Sequence, residues 1–202
     1  MPSAWKIDPE HSSIHFTVRY MVIGRVHGAF DRWTGTLEME DDLASAQVTA
    51  QIEAASINTS IPDRDTHLRS ADFFDVERFP TISFVSSSVV PLGDRRFRLL
   101  GKLTLHGITR ELPLDVNYHG SAVDPFGMQR IGFTARGTLD RGQYELNWNQ
   151  LLRDGSVHAH ERLEAVLVGQ AIELEIDVQA MRKHEGPARP VTLSAIPRVT
   201  PR

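Results

Sequence analysis

Along most of this chain apolar and polar residues alternate one by one, and no other feature of the sequence restricts its fold as strongly. Ile14, Phe16 and Val18 alternate with His15, Thr17 and Arg19. Trp33, Gly35, Leu37 and Met39 alternate with Thr34, Thr36 and Glu38, and Ala46, Val48, Ala50, Ile52 and Ala54 with Gln47, Thr49, Gln51 and Glu53. The same period continues through Thr81 to Ser88, Phe97 to Leu105, Leu112 to Tyr118, Ile131 to Leu139 and Ile172 to Val178. A period of two places successive side chains on opposite faces of a strand, so each segment predicts a half-buried strand with one wet face.

Turn residues sit between most of these segments: Asp41-Asp42, Pro91 to Asp94, His106-Gly107, His119-Gly120 and Asp140 to Gly142. Short strands joined by such turns predict an all-β fold, an antiparallel barrel of about eight strands. Two stretches break the period. Pro62 to Ser70 predicts a short helix after the third or fourth strand, with Pro62 in its first turn and Asp63 and Asp65 where the helix dipole favours carboxylates. Gln150 to Ala165 reads either as a helical turn or as an excursion of a long loop. The barrel is expected over residues 1–180, with 181–202, rich in Pro and Arg, as a mobile tail.

Composition then removes several function classes. A net charge of −4 provides no basic footprint for nucleic acid. The chain has no cysteine, and hence neither disulfides nor thiolate chemistry. No apolar run approaches the ~18–20 residues that span a bilayer as a helix. Met1 to Asp8 has no apolar stretch of the kind a secretory leader carries, so the chain is expected in the cytoplasm.

Whether the barrel is hollow turns on its inward face. Gly35, Ala46, Ala50, Ala54, Gly101 and Ala135 are small, where a packed core calls for larger side chains. Either they line a cavity, or each lies opposite a large aromatic and the interior is dry and full. The expected cavity wall is Phe16, Val18, Tyr20, Phe30, Trp33, Leu37, Val48, Ala50, Phe74, Phe84, Leu103, Leu114, Val116 and Phe133. On the helix, Arg64 and His67 are three apart and could meet a polar head group, while Asp65 and Arg69 are spaced for a surface ion pair. The helix is expected to cap one barrel end through Leu68, Phe73 and Phe74.

Catalytic signals are sparse. Gly-x-Ser-x-Gly, dinucleotide-binding and Walker glycine patterns are all missing from the sequence. His158 and His160 could place two imidazoles on one side of a strand, but spacing fixes no third ligand, and His11 and His15 lie on a strand rather than one helix face. No metal, cofactor or catalytic residue is assigned. Three readings stay open from the residues alone: an amphiphile binder, a hydrolase or metal-dependent enzyme using histidines at the barrel mouth, and a filled barrel acting through its surface.

An ordered set of short motifs carries a resemblance. It runs from Ile7-Asp8 and His11-Ser12 through Gly28-Ala-Phe30, Ser56 to Thr59, Arg64-Asp65, His67-Leu68, Asp72 to Phe74 and Phe79-Pro80. It ends in Gly101-x-Leu103-Thr104-x-His106-Gly107-x-Thr109 and Asp140-Arg141. Together these resemble the YceI family over about Trp5 to Ala180. The resemblance implies a lipocalin-like barrel without catalysis that binds, stores or transports a polyisoprenoid, an isoprenoid quinone or a similar amphiphilic lipid. Tyr20 stands where many relatives carry His, and Val157 to Ala165 looks inserted. The oligomeric state is left open between monomer and homodimer.

Overall fold

The computed structural model describes residues 3–21, 23–40, 42–149, 168–183 and Leu193. Its strands are β1 (Ser3–Ile7), β2 (Ser13–Tyr20), β3 (Gly24–Phe30), β4 (Trp33–Met39), β5 (Gln47–Glu53), β6 (Ile57–Asn58), β7 (Thr81–Gly93), β8 (Arg96–Leu105), β9 (Ile108–Val123), β10 (Met128–Asp140) and β11 (Val168–Lys183). The helix α1 spans Pro62–Arg69, after β6. Among the described residues, no helix is long and apolar enough to cross a membrane.

All pairings are antiparallel. The order β1-β4-β5-β7-β8-β9-β10-β11 closes on itself because β1 bonds to β4 on one side and to β11 on the other, giving an eight-stranded barrel. Strands β2, β3 and β6 extend this ring from the other half of β11. Three strand segments before the helix carry the alternation plainly. The short β1 and β6 and the glycine-bearing β3 escape it, since neither two residues nor Gly-Arg-Val-His-Gly makes a readable period.

β1 and β2 are one path along β11, kinked by a 3-10 turn at Pro9–His11. β3 and β4 form a second such path. The two paths pair at Lys6↔Thr36 and again at His15↔Ala29, and in between the ladder is interrupted. Side chains bridge the kink. Asp8 caps the turn by accepting from the Glu10 N–H, and the Ser12 hydroxyl accepts from Gln179 N–H and donates to Gln179 O, standing in for a ladder partner.

Outside the barrel, Arg130 of β10 reaches across β11 to Asp8 and also holds Asp124 at the β9–β10 turn. The bond to Arg130, opposed in part by burial, keeps the Asp8 carboxyl below its ordinary value of 3.8, and Arg130 with the Met128 N–H does the same for Asp124.

At its far end β11 does not stop where the apolar alternation stops. Met181, Arg182 and Lys183 continue it, paired with Arg130, Gln129 and Met128. The tail boundary expected at 181 is therefore corrected: three residues placed in the tail are barrel wall. Backbone pairing needs no apolar side chain, and the Arg182 guanidinium lies 4.4 Å over the Trp5 ring. The calls on 150–165, on His158 and His160 and on the tail from residue 184, Leu193 aside, fall outside the described residues.

The glycines of the inner face answer the packing question in their own way. A Cβ on Gly101 would stand 2.3 Å from the Phe84 ring and 2.8 Å from Val85 O, and one on Gly28 would stand 2.3 Å from the Phe16 ring. These positions are small because aromatic rings lie across them, not because they open space.

Two expectations follow. Gly101→Ala should destabilise the fold by about 1–3 kcal/mol, because a backbone oxygen as well as a ring blocks the new methyl; an unchanged melting temperature would refute the contact. For Asp8, a depressed carboxyl contributes stability that is present above its ordinary value and lost as the pH falls through the depressed one. The melting temperature should thus hold steady toward mild acid and fall once the pH drops below about 4. Asp8→Asn should melt lower at neutral pH and show a flatter acid decline, which a melting series across pH checks.

Candidate functional site

The barrel holds a cavity of about 270 Å3, partly open to its surroundings, whose wall is almost wholly apolar. That is near the lower end of the roughly 300–1,000 Å3 usual for small-molecule sites. Inward parity delivers the wall directly: Ala50 stands opposite Phe84, and Leu103 lies on the next strand opposite Phe84 again.

Of the side chains expected there, Phe16, Val18, Phe30, Trp33, Leu37, Val48 and Ala50 line the cavity from β2 to β5. Phe74, Phe84, Leu103, Leu114, Val116 and Phe133 line it from the turns after α1 and from β7 to β10. Tyr20 does not. It shares the parity of Phe16 and Val18 and pairs with Gly24 at the β2–β3 tip and with Val168 of the wall, yet is 38% exposed beside Met21 and Ile23. The ladder to β11 is irregular between Val168 and Ile172, opposite this end of β2, so parity alone no longer fixes the side-chain direction.

The wall includes more than was expected. Ile14, Ile52, Ile82 and Leu99 belong to it, as do Ile172, Leu174 and Ile176 of β11. Each has the inward parity of its strand, which is the signal that marks it. Leu146 had no such signal, because it follows the 3-10 turn Arg141–Tyr144 outside any alternating run.

The two ends of the barrel differ. At one, Trp5, Met39, Leu43, Phe97, Tyr118, Ile131 and Ala180 form a packed cluster that fills the interior. At the other, the turns after α1 cover the opening: Phe73 is buried, Phe74 meets Phe30 edge-on at 6.0 Å, and Phe73 lies 5.1 Å from Trp148. The expected cap is thus present through Phe73 and Phe74, while Leu68 is half-buried and absent from the wall.

The helix is held by polar contacts instead. Asp65 is buried and accepts from Thr59 N–H at 2.9 Å and from the Thr59 hydroxyl at 2.5 Å. Arg69 donates to Ala55 O and Ile57 O. The expected surface ion pair between Asp65 and Arg69 is therefore corrected, since each turns inward to a backbone partner that spacing along the helix cannot reveal. Arg64 likewise folds back, donating to the Thr59 hydroxyl and to Thr59 O. His67 meets Asp72 at 3.0 Å and packs edge-on against Phe73 and Trp148. Neither Arg64 nor His67 lies on the cavity wall.

Among the described residues Arg141 is the wall's one charged residue. Its guanidinium is buried and donates to the carbonyls of Leu146, Trp148, Val168 and Gly169, tying the turn after β10 to the start of β11. Burial pushes this guanidinium below its ordinary value. With its donors turned to carbonyls, it presents mainly its methylene stem to the cavity.

Asp8, Glu10 and His11 bring three potential metal-ligating atoms within 4.8 Å of one another. The Asp8 carboxylate there already accepts from Arg130, from Glu10 N–H and toward His11, so a cation would have to displace a guanidinium.

A YceI-like domain matches residues 5–180 of the chain. A UPF0312 protein of Staphylococcus aureus (strain USA300) is 37% identical over 152 residues, which cover 74% of this chain and 86% of that protein. Among solved structures, BcnA of Burkholderia cenocepacia superposes with a TM-score of 0.70 at 18% identity, covering 86% of this chain and 98% of its own. A polyisoprenoid binding domain from Saccharophagus degradans gives 0.59 at 14% identity, covering 87% and 97%.

The polar anchoring of α1 is open to test. Asp65→Ala should leave the Thr59 N–H and hydroxyl buried without their acceptor and cost about 1–3 kcal/mol. Hydrogen exchange should accelerate first in α1 and the turns that follow it. Uniform exchange with an unchanged melting temperature would show that the apolar contacts of Phe73 and Phe74 hold the cap alone.

Proposed function

The chain belongs to the YceI-like family, and on that premise we propose that it binds a polyisoprenoid, an isoprenoid quinone or a similar single-chain amphiphile noncovalently inside its barrel. The observation that carries the reading is the cavity wall, which runs almost unbroken in hydrocarbon from Leu37 and Phe97 at one end to Phe74 and Val168 at the other. The similarity to the polyisoprenoid binding domain from Saccharophagus degradans supports it.

Apolar burial favours binding without a charged contact. Each buried CH2 is worth about 0.8 kcal/mol, so the carbons that fit within the wall offset much of an association cost of about 4–15 kcal/mol. The polar members of the wall are Thr49 and Arg141, and the guanidinium is spent on carbonyls. A wall of this kind holds a guest rather than transforming it, so the protein acts as a binder that stores or transports its lipid, and not as an enzyme.

Organic extraction and mass spectrometry of the natively purified protein test this. A stoichiometric prenyl lipid is expected. A preparation that carries none, and takes up no added prenol after delipidation, would end the reading. Ala50→Trp should keep native circular dichroism while lowering lipid occupancy, because Ala50 lines the cavity between Gly35 and Phe84. Full occupancy in a folded Ala50→Trp would place the guest elsewhere.

A further inference from the structure

The interrupted ladder between the β1–β2 path and the β3–β4 path opens onto an outer groove of about 860 Å3. Its floor is Ile14, Phe30, Trp33 and Ile52, and all four also line the inner cavity. Here the groove and the cavity are divided by side chains without a hydrogen-bonded ladder. One end of the barrel is filled by the Trp5 cluster, and the other is covered by the turns around Phe73 and Phe74. Opening either would disrupt packed core or the Asp65–Thr59 bonds, whereas at the groove Phe30 and Trp33 are only half-buried and no ladder bonds close the gap beside Ile14, the Phe30 ring lying 5.7 Å from Phe16 and 6.0 Å from Phe74.

The rim of the groove is polar but carries no spare positive charge. Among the described residues Arg32 is its only Lys or Arg, and both its Nε and an Nη bond the Glu53 carboxylate, at 2.6 and 2.7 Å. Asp31, held by Asn58 at 2.9 Å, adds a second carboxylate. An anionic group placed here would meet two carboxylates and one cation already paired.

We propose that this gap is the entrance to the cavity, and that the groove outside it holds the polar head of a neutral-headed single-chain lipid, an alcohol, amide or quinone rather than a diphosphate or carboxylate. Ser13, Thr34 and Gln51 supply uncharged hydrogen-bonding groups around that position. The chain passes inward between Ile14 and Ile52 while the head stays in water at the rim. This deepens the lipid-binding reading and rests on it.

The absence of cysteine makes a clean test available. Thr34→Cys in the delipidated full-length chain is modified with a bulky maleimide, with Lys102→Cys, on β8 away from the groove, treated alike. His15→Cys on the facing rim repeats the measurement should Thr34→Cys fold poorly. Geranylgeraniol and geranylgeranyl diphosphate are the probes. Blocking the groove should slow geranylgeraniol uptake about tenfold or more, and blocking Lys102→Cys should leave it unchanged. The unmodified chain should prefer the alcohol over the diphosphate by about tenfold or more, about 1.4 kcal/mol, and Glu53→Gln, which frees Arg32, should narrow that gap. Equal uptake by the blocked and open proteins overturns the entrance. Diphosphate binding as tight as that of the alcohol overturns the neutral head. If the unmodified chain takes up neither probe, the lipid-binding reading itself fails, and the entrance with it.

Discussion

Closure of the barrel rests on β1, a strand of five residues bonded on both edges. It contributes four register pairs to β4 and two to β11, a small number of bonds for the seam on which the ring depends. Without it, β4 and the end of β11 would each present an open edge, the arrangement that invites pairing with other chains. The seam is reinforced from both sides. Outside, Arg130 crosses β11 to Asp8, and the Ser12 hydroxyl takes up the peptide of Gln179. Inside, Trp5 is buried among Leu37, Met39 and Ile131. The cavity, its apolar wall and the inward parity of every strand follow once this ring is closed.

The same kink that places Asp8 under Arg130 interrupts the ladder a few residues further on. Pro9–His11 diverts the path from β1 to β2, and the residues from 31 to 35 diverge on the other side. Closure below and a gap above are thus consequences of one turn. Half the barrel is a filled core, and the other half a shell around space, with the change of character falling near Leu37 and Val48.

Much of this architecture is legible in the sequence because it depends on parity, which a strand fixes locally. Ala50 and Leu103, for example, are flanked on both sides by polar residues, Thr49 and Gln51 and Lys102 and Thr104, and face inward. What failed depends on the chain's surroundings. Tyr20 has the right parity at a point where the ladder to β11 is irregular. Asp65 and Arg69 have a helical spacing that suits an ion pair, yet each is drawn to the backbone of the segment before the helix, a partner fixed only by the fold. Arg182 carries a charge typical of a tail and still continues β11, since a ladder is made of peptide groups. Glycine was ambiguous for a further reason: Gly101 and Ala50 are both small and inward, but a ring lies over the first and empty space over the second.

An interior with scarcely a hydrogen-bonding atom has a consequence for any guest. Dispersion and water exclusion are nearly indifferent to sliding, so nothing along the wall defines where one carbon must sit. A chain held there keeps much of its motion along its own axis and can shift register by a methyl group at little cost. Such a barrel distinguishes guests by length and girth and hardly at all by the position of a double bond or branch. Homologous chains should therefore fall into a graded series of affinities until the space is full, with the wall serving as a gauge of volume.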